Sequence, residues 1–315
     1  MADVAYIPGE AGRERRPAVG YAMVISAALL FALNGTVSKV VLQSGISSLE
    51  LTQVRATGAF LGFALVLALT RRDSLRLTRR ELPYLIVFGI AGVALVQWLY
   101  FVSIGRLPIG IALLIEYIAP ILIAIWAWSV FKEPIRRRIW LALVLAVVGL
   151  AVVVEVWSGL TLDGLGVVAA LSAAVAYVVY VLMAEHAVKW RDPASLTAYG
   201  FLFAALFWAL VQPLWRFPTG RLDDSVSLLG HLERFSLPVW LLMLYVVVAG
   251  TMVTFLLVAA ALRHISATRV GIVAMLEPVA ASAVAFVWLG ESFGAAQLLG
   301  GAVVLAAILL AQTAR

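Results

Sequence analysis

Apolar runs of about twenty residues recur along nearly the whole chain, each long enough to cross a hydrocarbon core about 30 Å thick. Lipid leaves no solvent for backbone N–H and C=O groups, so a spanning segment must be a helix or part of a closed barrel. These runs show no strict alternation of apolar and polar residues, which selects helices. Ten segments follow, over 18–42, 50–70, 82–104, 109–131, 138–156, 164–186, 195–215, 238–262, 268–289 and 295–313. With 64% hydrophobic and 13% charged residues, the chain departs from soluble domains, where about a quarter are charged. The expected fold is all-α and integral to the membrane.

Basic residues set the orientation, because cytoplasmic loops collect Lys and Arg. With the N-terminus inside, the loops after the second and fourth segments carry Arg71, Arg72, Arg76, Arg79, Arg80, Lys132, Arg136, Arg137 and Arg138. The outer side receives Arg106, Arg216, Arg221 and Arg234. Both termini are therefore expected in the cytoplasm, with residues 1–17 as a disordered tail. The net charge of +6 is explained by these loops and implies no nucleic-acid partner. The chain has no cysteine, which removes disulfides and thiol chemistry. The stretch Arg216 to Leu237 is polar enough for a surface loop.

The chain carries one unit twice. Pro120 precedes Glu133 by thirteen positions, and Pro278 precedes Glu291 by the same interval. Aligning the prolines also places Ala127 on Ala285 and Leu141 on Leu299, while the stretch from Gly20 lies over that from Gly166. Five segments per half is an odd number, so the second half enters the membrane inverted. Loop charge agrees: the basic loop at Lys132–Arg138 corresponds to the bare stretch 292–296. Two inverted five-helix repeats, 18–157 and 163–313, are the signature of transporters that bind substrate between their halves.

Leu276-Glu277-Pro278-Val279, then Leu289-Gly290-Glu291 and Gln297-Leu298-Leu299-Gly300, resemble the ninth and tenth helices of the EamA-type branch of the drug/metabolite transporter superfamily. Asn34 with Lys39 resembles the first-helix pattern of that family, and Arg55 its second-helix arginine. Phe31-Ala32 stands where the family has Trp-Gly. The resemblance covers nearly the whole chain after the tail. It implies a ten-helix transporter, in a family made up mostly of exporters of amino acids and other small metabolites.

Ionisable groups at membrane depth cost about 2.5–3.5 kcal/mol on insertion scales and need an explanation. Glu116 and Glu277 each sit beside a helix-breaking proline, Pro120 and Pro278. A proline cannot donate to the carbonyl four residues earlier, so the carbonyls of Glu116 and Ala274 are freed. A carboxylate beside an open carbonyl suits an ammonium group or a proton, and both glutamates are candidates for proton coupling. For Glu116, an ion pair with Arg55 is an equal alternative; a salt bridge between Lys39 and Glu50 accounts for both of those residues. Asn34 is the best uncharged candidate for substrate binding, since a buried amide needs a partner. Tyr177, Tyr180, Trp98 and Thr251 complete the expected lining, although aromatic stripes at helical spacing more often pack than bind.

An enzyme is disfavoured: His186, His231 and His264 form no metal-binding pair, and no nucleophile elbow is present. No cofactor or metal is implied, and there is no phosphate-binding loop to power transport with nucleotide. The expected partners are a small-molecule substrate, the lipid bilayer and, for a coupled cycle, protons, with the chain a monomer or a weak homodimer. The leading expectation is secondary active export of amino acids or similar metabolites by alternating access. An uncoupled facilitator fits the sequence equally.

Overall fold

The computed structural model describes residues 16–119, 121–122, 125–126, 129, 137–153, 162–188, 190–261, 264–265, 270, 273–274 and 276–313. Residues 1–15 of the expected tail, Pro120 and the Glu133 loop lie outside these residues, and Pro17, placed in the tail, opens the first helix. The main helices are α1 (Pro17–Gln43), α2 (Ser48–Thr70), α3 (Leu82–Ile104), α4 (Ile109–Glu116) and α5 (Arg137–Val153). They continue with α6 (Gly164–Ala187) and α7 (Pro193–Val211). Next comes α8, whose parts Val239–Val247, Val248–Val253 and Thr254–Ala261 run consecutively, and then α9 (Leu276–Leu289) and α10 (Ala295–Thr313). Among the described residues, six helices have the length and apolarity to cross a membrane.

Local chemistry explains the helix starts. Pro17 and Pro193 stand in first turns, where a missing N–H costs nothing. Asp163 and Asp192 cap α6 and α7 through the N–H groups of Gly166 and of Ala194 and Ser195. The Gly166 N–H, with Arg106 at 3.2 Å, holds the exposed Asp163 carboxyl below its usual range. Ser47 and Glu50 form a reciprocal capping box at the start of α2.

The lateral surface is apolar: Leu69 is 74% exposed and Leu210 85%. Inside, small residues dominate the helix contacts, among them Ala27, Ala28, Ala32, Ala170, Ala173 and Ala174. Lipid tails give no hydrophobic drive for helix association, so close backbone approach through small residues supplies the packing.

The packing is reciprocal between the halves. Helix α1 packs on α8 and α9, and its counterpart α6 packs on α3 and α4. Helix α2 packs on its counterpart α7, and α5 on α10. Side chains repeat the exchange: Gln53 of α2 donates to the Gln212 carbonyl just past α7, and Tyr199 of α7 donates to the Leu75 carbonyl just past α2. Each half lends its first helix to the other, as two repeats related by a two-fold axis would.

Helices α3 and α8 share a further irregularity, a π segment at Phe88–Ala94 and at Val248–Val253. The register that aligns Pro120 with Pro278 superposes these segments and puts Gly92 on Gly250. A π turn widens the helix and leaves carbonyls outside the regular ladder, an arrangement frequent at functional sites.

The stretch Arg216 to Leu237 is more ordered than its polarity suggests. A two-stranded antiparallel ribbon, β1 (Ser225–Ser227) with β2 (Ser236–Pro238), pairs Val226 with Leu237. Leu228 inserts into the main core, and Trp288 Nε1 of α9 donates to its carbonyl at 2.7 Å. Its leucines and valines (226, 228, 229, 232 and 237) supply the apolar contacts that hold it down.

Candidate functional site

The site is built where the two exchanged helices meet the breaks. Helix α4 ends at Glu116, four residues before Pro120, whose ring has no N–H to give the Glu116 carbonyl and crowds it. Pro278 lies in the first turn of α9, next to Glu277. The freed Ala274 carbonyl accepts from the Tyr117 hydroxyl at 3.0 Å, and the same hydroxyl lies 2.7 Å from Glu277 Oε2.

Arg55 of α2 is buried. Its Nε donates to Thr251 Oγ1 at 2.5 Å and its Nη2 to the Gly250 carbonyl at 3.3 Å, both on the π segment of α8. The guanidinium lies over the Phe101 ring, 5.3 Å from its centroid. Thr251 Oγ1 donates to the Val246 carbonyl and Thr254 Oγ1 to the Gly250 carbonyl, so these side chains bond carbonyls in and just before the π segment. Glu116 and Glu277 each lie within electrostatic reach of Arg55 and of Tyr100, and of one another.

Several polar atoms here have no hydrogen-bond partner among the described residues. They are both carboxylate oxygens of Glu116, Oε1 of Glu277, Nη1 of Arg55, Nδ2 of Asn34 and the hydroxyls of Tyr100, Tyr177 and Tyr180. Glu116 and Glu277 are surrounded by protein and still keep accessible surface. A polar group at that depth with no protein partner is costly unless a ligand or water meets it, which marks these groups as candidates for a substrate site. Both halves contribute to it. Two hollows lie elsewhere: one of about 390 Å³ beside Leu42, Gln43 and Arg106, and one of about 140 Å³ lined by Phe63, Met252 and Leu256.

The aromatic candidates form a wall running away from the carboxylates. Tyr177 stacks obliquely on Tyr180 at 6.0 Å, Tyr180 meets Phe255 edge-on at 6.0 Å, and Phe255 meets Phe31 at 5.7 Å. Trp98 packs against Trp208 at 5.7 Å within the second hydrophobic core. Asn34 and Tyr180 are equivalents in the repeat alignment, and they occupy equivalent places. A Cβ on Gly250 would collide with Asn34, and one on Gly92 would lie 3.1 Å from the Tyr180 Cα.

Two expected ion pairs are replaced. Lys39 does not pair with Glu50, whose carboxylate is used by the Ser47 N–H at 2.7 Å. Lys39 Nζ instead meets Glu291 Oε1 at 2.5 Å and donates to the Leu107 carbonyl at 3.1 Å. Glu291 Oε2 accepts the Ile109 N–H at 3.1 Å, at the start of α4. Arg55 makes no ion pair with Glu116 among the described residues; it docks on Thr251 and Gly250. Sequence reasoning missed Tyr117, whose signal was a hydroxyl next to Glu116 at a break, and it used Glu291 only as a marker of the repeat and the family motif.

The EamA-like transporter family model matches residues 18–155 and again 164–313. An uncharacterized transporter of Archaeoglobus fulgidus is 28% identical over 291 residues, covering 92% of this chain and 94% of its own. The threonine/homoserine exporter RhtA of Escherichia coli is 26% identical over 255 residues, 81% of this chain and 79% of its own. A crystal structure at 19% identity superposes with a TM-score of 0.60, over 93% of this chain and 96% of the other, and shares the fold. With both halves matched, apolar helices throughout and relatives that are transporters rather than enzymes, the chain belongs to the EamA-like transporter family.

Proposed function

We propose that this protein is a secondary active transporter of the cell membrane that exports amino acids or similar small metabolites. The fuller reading is ten membrane spans in two inverted halves, 18–157 and 163–313, with both termini cytoplasmic and the halves rocking about the site. The observation that carries it is the set of unpartnered polar atoms, drawn from both halves, around Glu116 and Glu277. Alternating access requires a midplane site shared by the repeats. The likeness to a threonine/homoserine exporter supports amino acids as the substrate class, with the ammonium group received by the carboxylates and the aromatic wall facing the side chain.

Proton coupling draws support from Tyr117. Its hydroxyl has one proton, which can serve the Ala274 carbonyl or the Glu277 carboxylate but not both. Both contacts are hydrogen bonds at once only when Glu277 is protonated and donates to the Tyr117 oxygen. Glu277 therefore has a well-solvated neutral state and a hydrogen-bonded charged state in the same geometry.

Flux into proteoliposomes, with a panel of amino acids and imposed pH gradients, tests the proposal. Saturable flux that follows the proton gradient in wild type and ignores it in Glu277→Gln is expected. Saturable flux indifferent to pH would make the protein a facilitator; no saturable flux of any amino acid would overturn the substrate class.

A further inference from the structure

Arg55 has a dry twin. In the repeat register its equivalent on α7 is Phe201, and the equivalents of Thr251 and Thr254 on α3 are Val93 and Val96. Phe201 is fully buried, stacks on Phe63 and meets Phe255 edge-on. The fold thus closes one joint between its second helices and a π segment with apolar side chains alone. Packing does not require a guanidinium at the other joint. Replacing buried ionic groups by apolar ones of similar volume is often neutral or stabilising, so stability gives no account of Arg55.

The geometry leaves the guanidinium part-committed. Nε and Nη2 are anchored on Thr251 and Gly250, the ring of Phe101 backs one face, and Nη1 has no hydrogen-bond partner among the described residues. Glu116 and Glu277 lie within electrostatic reach of it, and both Glu116 oxygens and Glu277 Oε1 have no hydrogen-bond partner among the described residues. A fixed cation and fixed carboxylates in one narrow site match a ligand that carries both charges.

We propose that Arg55 is the carboxylate-binding residue of the transport site, with Glu116 receiving the ammonium group, so that the protein recognises its substrate as a zwitterion. Thr251 is a positioning residue that aims Nη1. This assignment rests on the amino-acid reading above and deepens it. It excludes decarboxylated amines and carboxamides as good ligands, because they leave Nη1 facing a neutral or absent partner.

The test is competition in proteoliposomes, with labelled threonine as substrate and threonine amide as competitor, on wild type, Arg55→Lys, Arg55→Met and Thr251→Val. In wild type the amide should compete at least about tenfold more weakly than threonine, the loss expected when a charge-assisted hydrogen bond is removed. That preference should fall to within about twofold in Arg55→Met and be partly kept in Arg55→Lys, which retains the charge without the fork. Thr251→Val should reduce it in protein whose melting profile matches wild type, which guards against a folding defect in the arginine variants. Equal competition by amide and acid in wild type would overturn the assignment. So would a preference that survives both Arg55→Met and Thr251→Val, and in either case amino-acid transport would stand. Absence of saturable threonine flux, with flux of another amino acid, moves the same comparison to that amino acid and its amide; absence of flux for every amino acid overturns both readings.

Discussion

Lys39 and Glu291, 252 positions apart, meet at 2.5 Å and fasten α1 of the first half to the end of α9 in the second. Glu291 also accepts the Ile109 N–H, so one carboxylate joins three helix ends. Removing one partner strands a largely buried charge, whereas removing both does not. Lys39→Met and Glu291→Gln should each lower stability by roughly 3 kcal/mol, and Lys39→Met with Glu291→Met should recover more than half of that. Thermal unfolding of the purified variants in detergent measures it; additive losses would show that the two residues act separately.

Tyr117→Phe keeps the ring and removes the hydroxyl shared by Ala274 and Glu277. The carbonyl freed by Pro278 and one carboxylate oxygen then lose their partner, at about 1–3 kcal/mol for a buried group. Initial transport rates should fall by about tenfold or more, with monodisperse protein on size exclusion. A wild-type rate would remove Tyr117 from the site.

Gly250 and Gly92 are predicted to tolerate a methyl group poorly, because each faces an exchanged first helix. Gly250→Ala should cost about 1–3 kcal/mol through collision with Asn34. Adding Asn34→Ala should relieve most of that cost, since it vacates the space. A double-mutant cycle on melting temperatures reads the coupling; no rescue would place the strain elsewhere.

Gln97 is buried, and both its amide atoms are enclosed without a partner. Such a group costs about 1–3 kcal/mol relative to an apolar isostere. Gln97→Met should therefore raise the melting temperature while leaving amino-acid flux near wild type. Unchanged or lower stability, or lost flux, would mean that the amide finds a partner during transport.

The helix breaks were legible because a proline acts on its own neighbourhood: Glu277 and Glu116 follow from where Pro278 and Pro120 stand. Asn34 and Tyr180 were legible as a pair because the repeat aligns them, and the structure seats them over Gly250 and Gly92. The partner of Lys39 was not legible. Glu50 is close in sequence, but a capping box claims it within one helical turn, while Glu291 arrives only through the packing of α1 on α9. The anchor of Arg55 was not legible for a related reason: it is a π segment, and neither composition nor spacing marks one.

Hydropathy, helix breaks and duplication are properties of contiguous residues. The sequence alone therefore determined a helical membrane protein, its repeated unit and its family. Which polar atoms stay unpartnered depends on groups from segments a hundred or more residues apart meeting in a dry interior. Only the exchanged packing of the halves decided that Arg55, Glu116 and Glu277 come within electrostatic reach of one another, and that Glu291, not Glu50, holds Lys39.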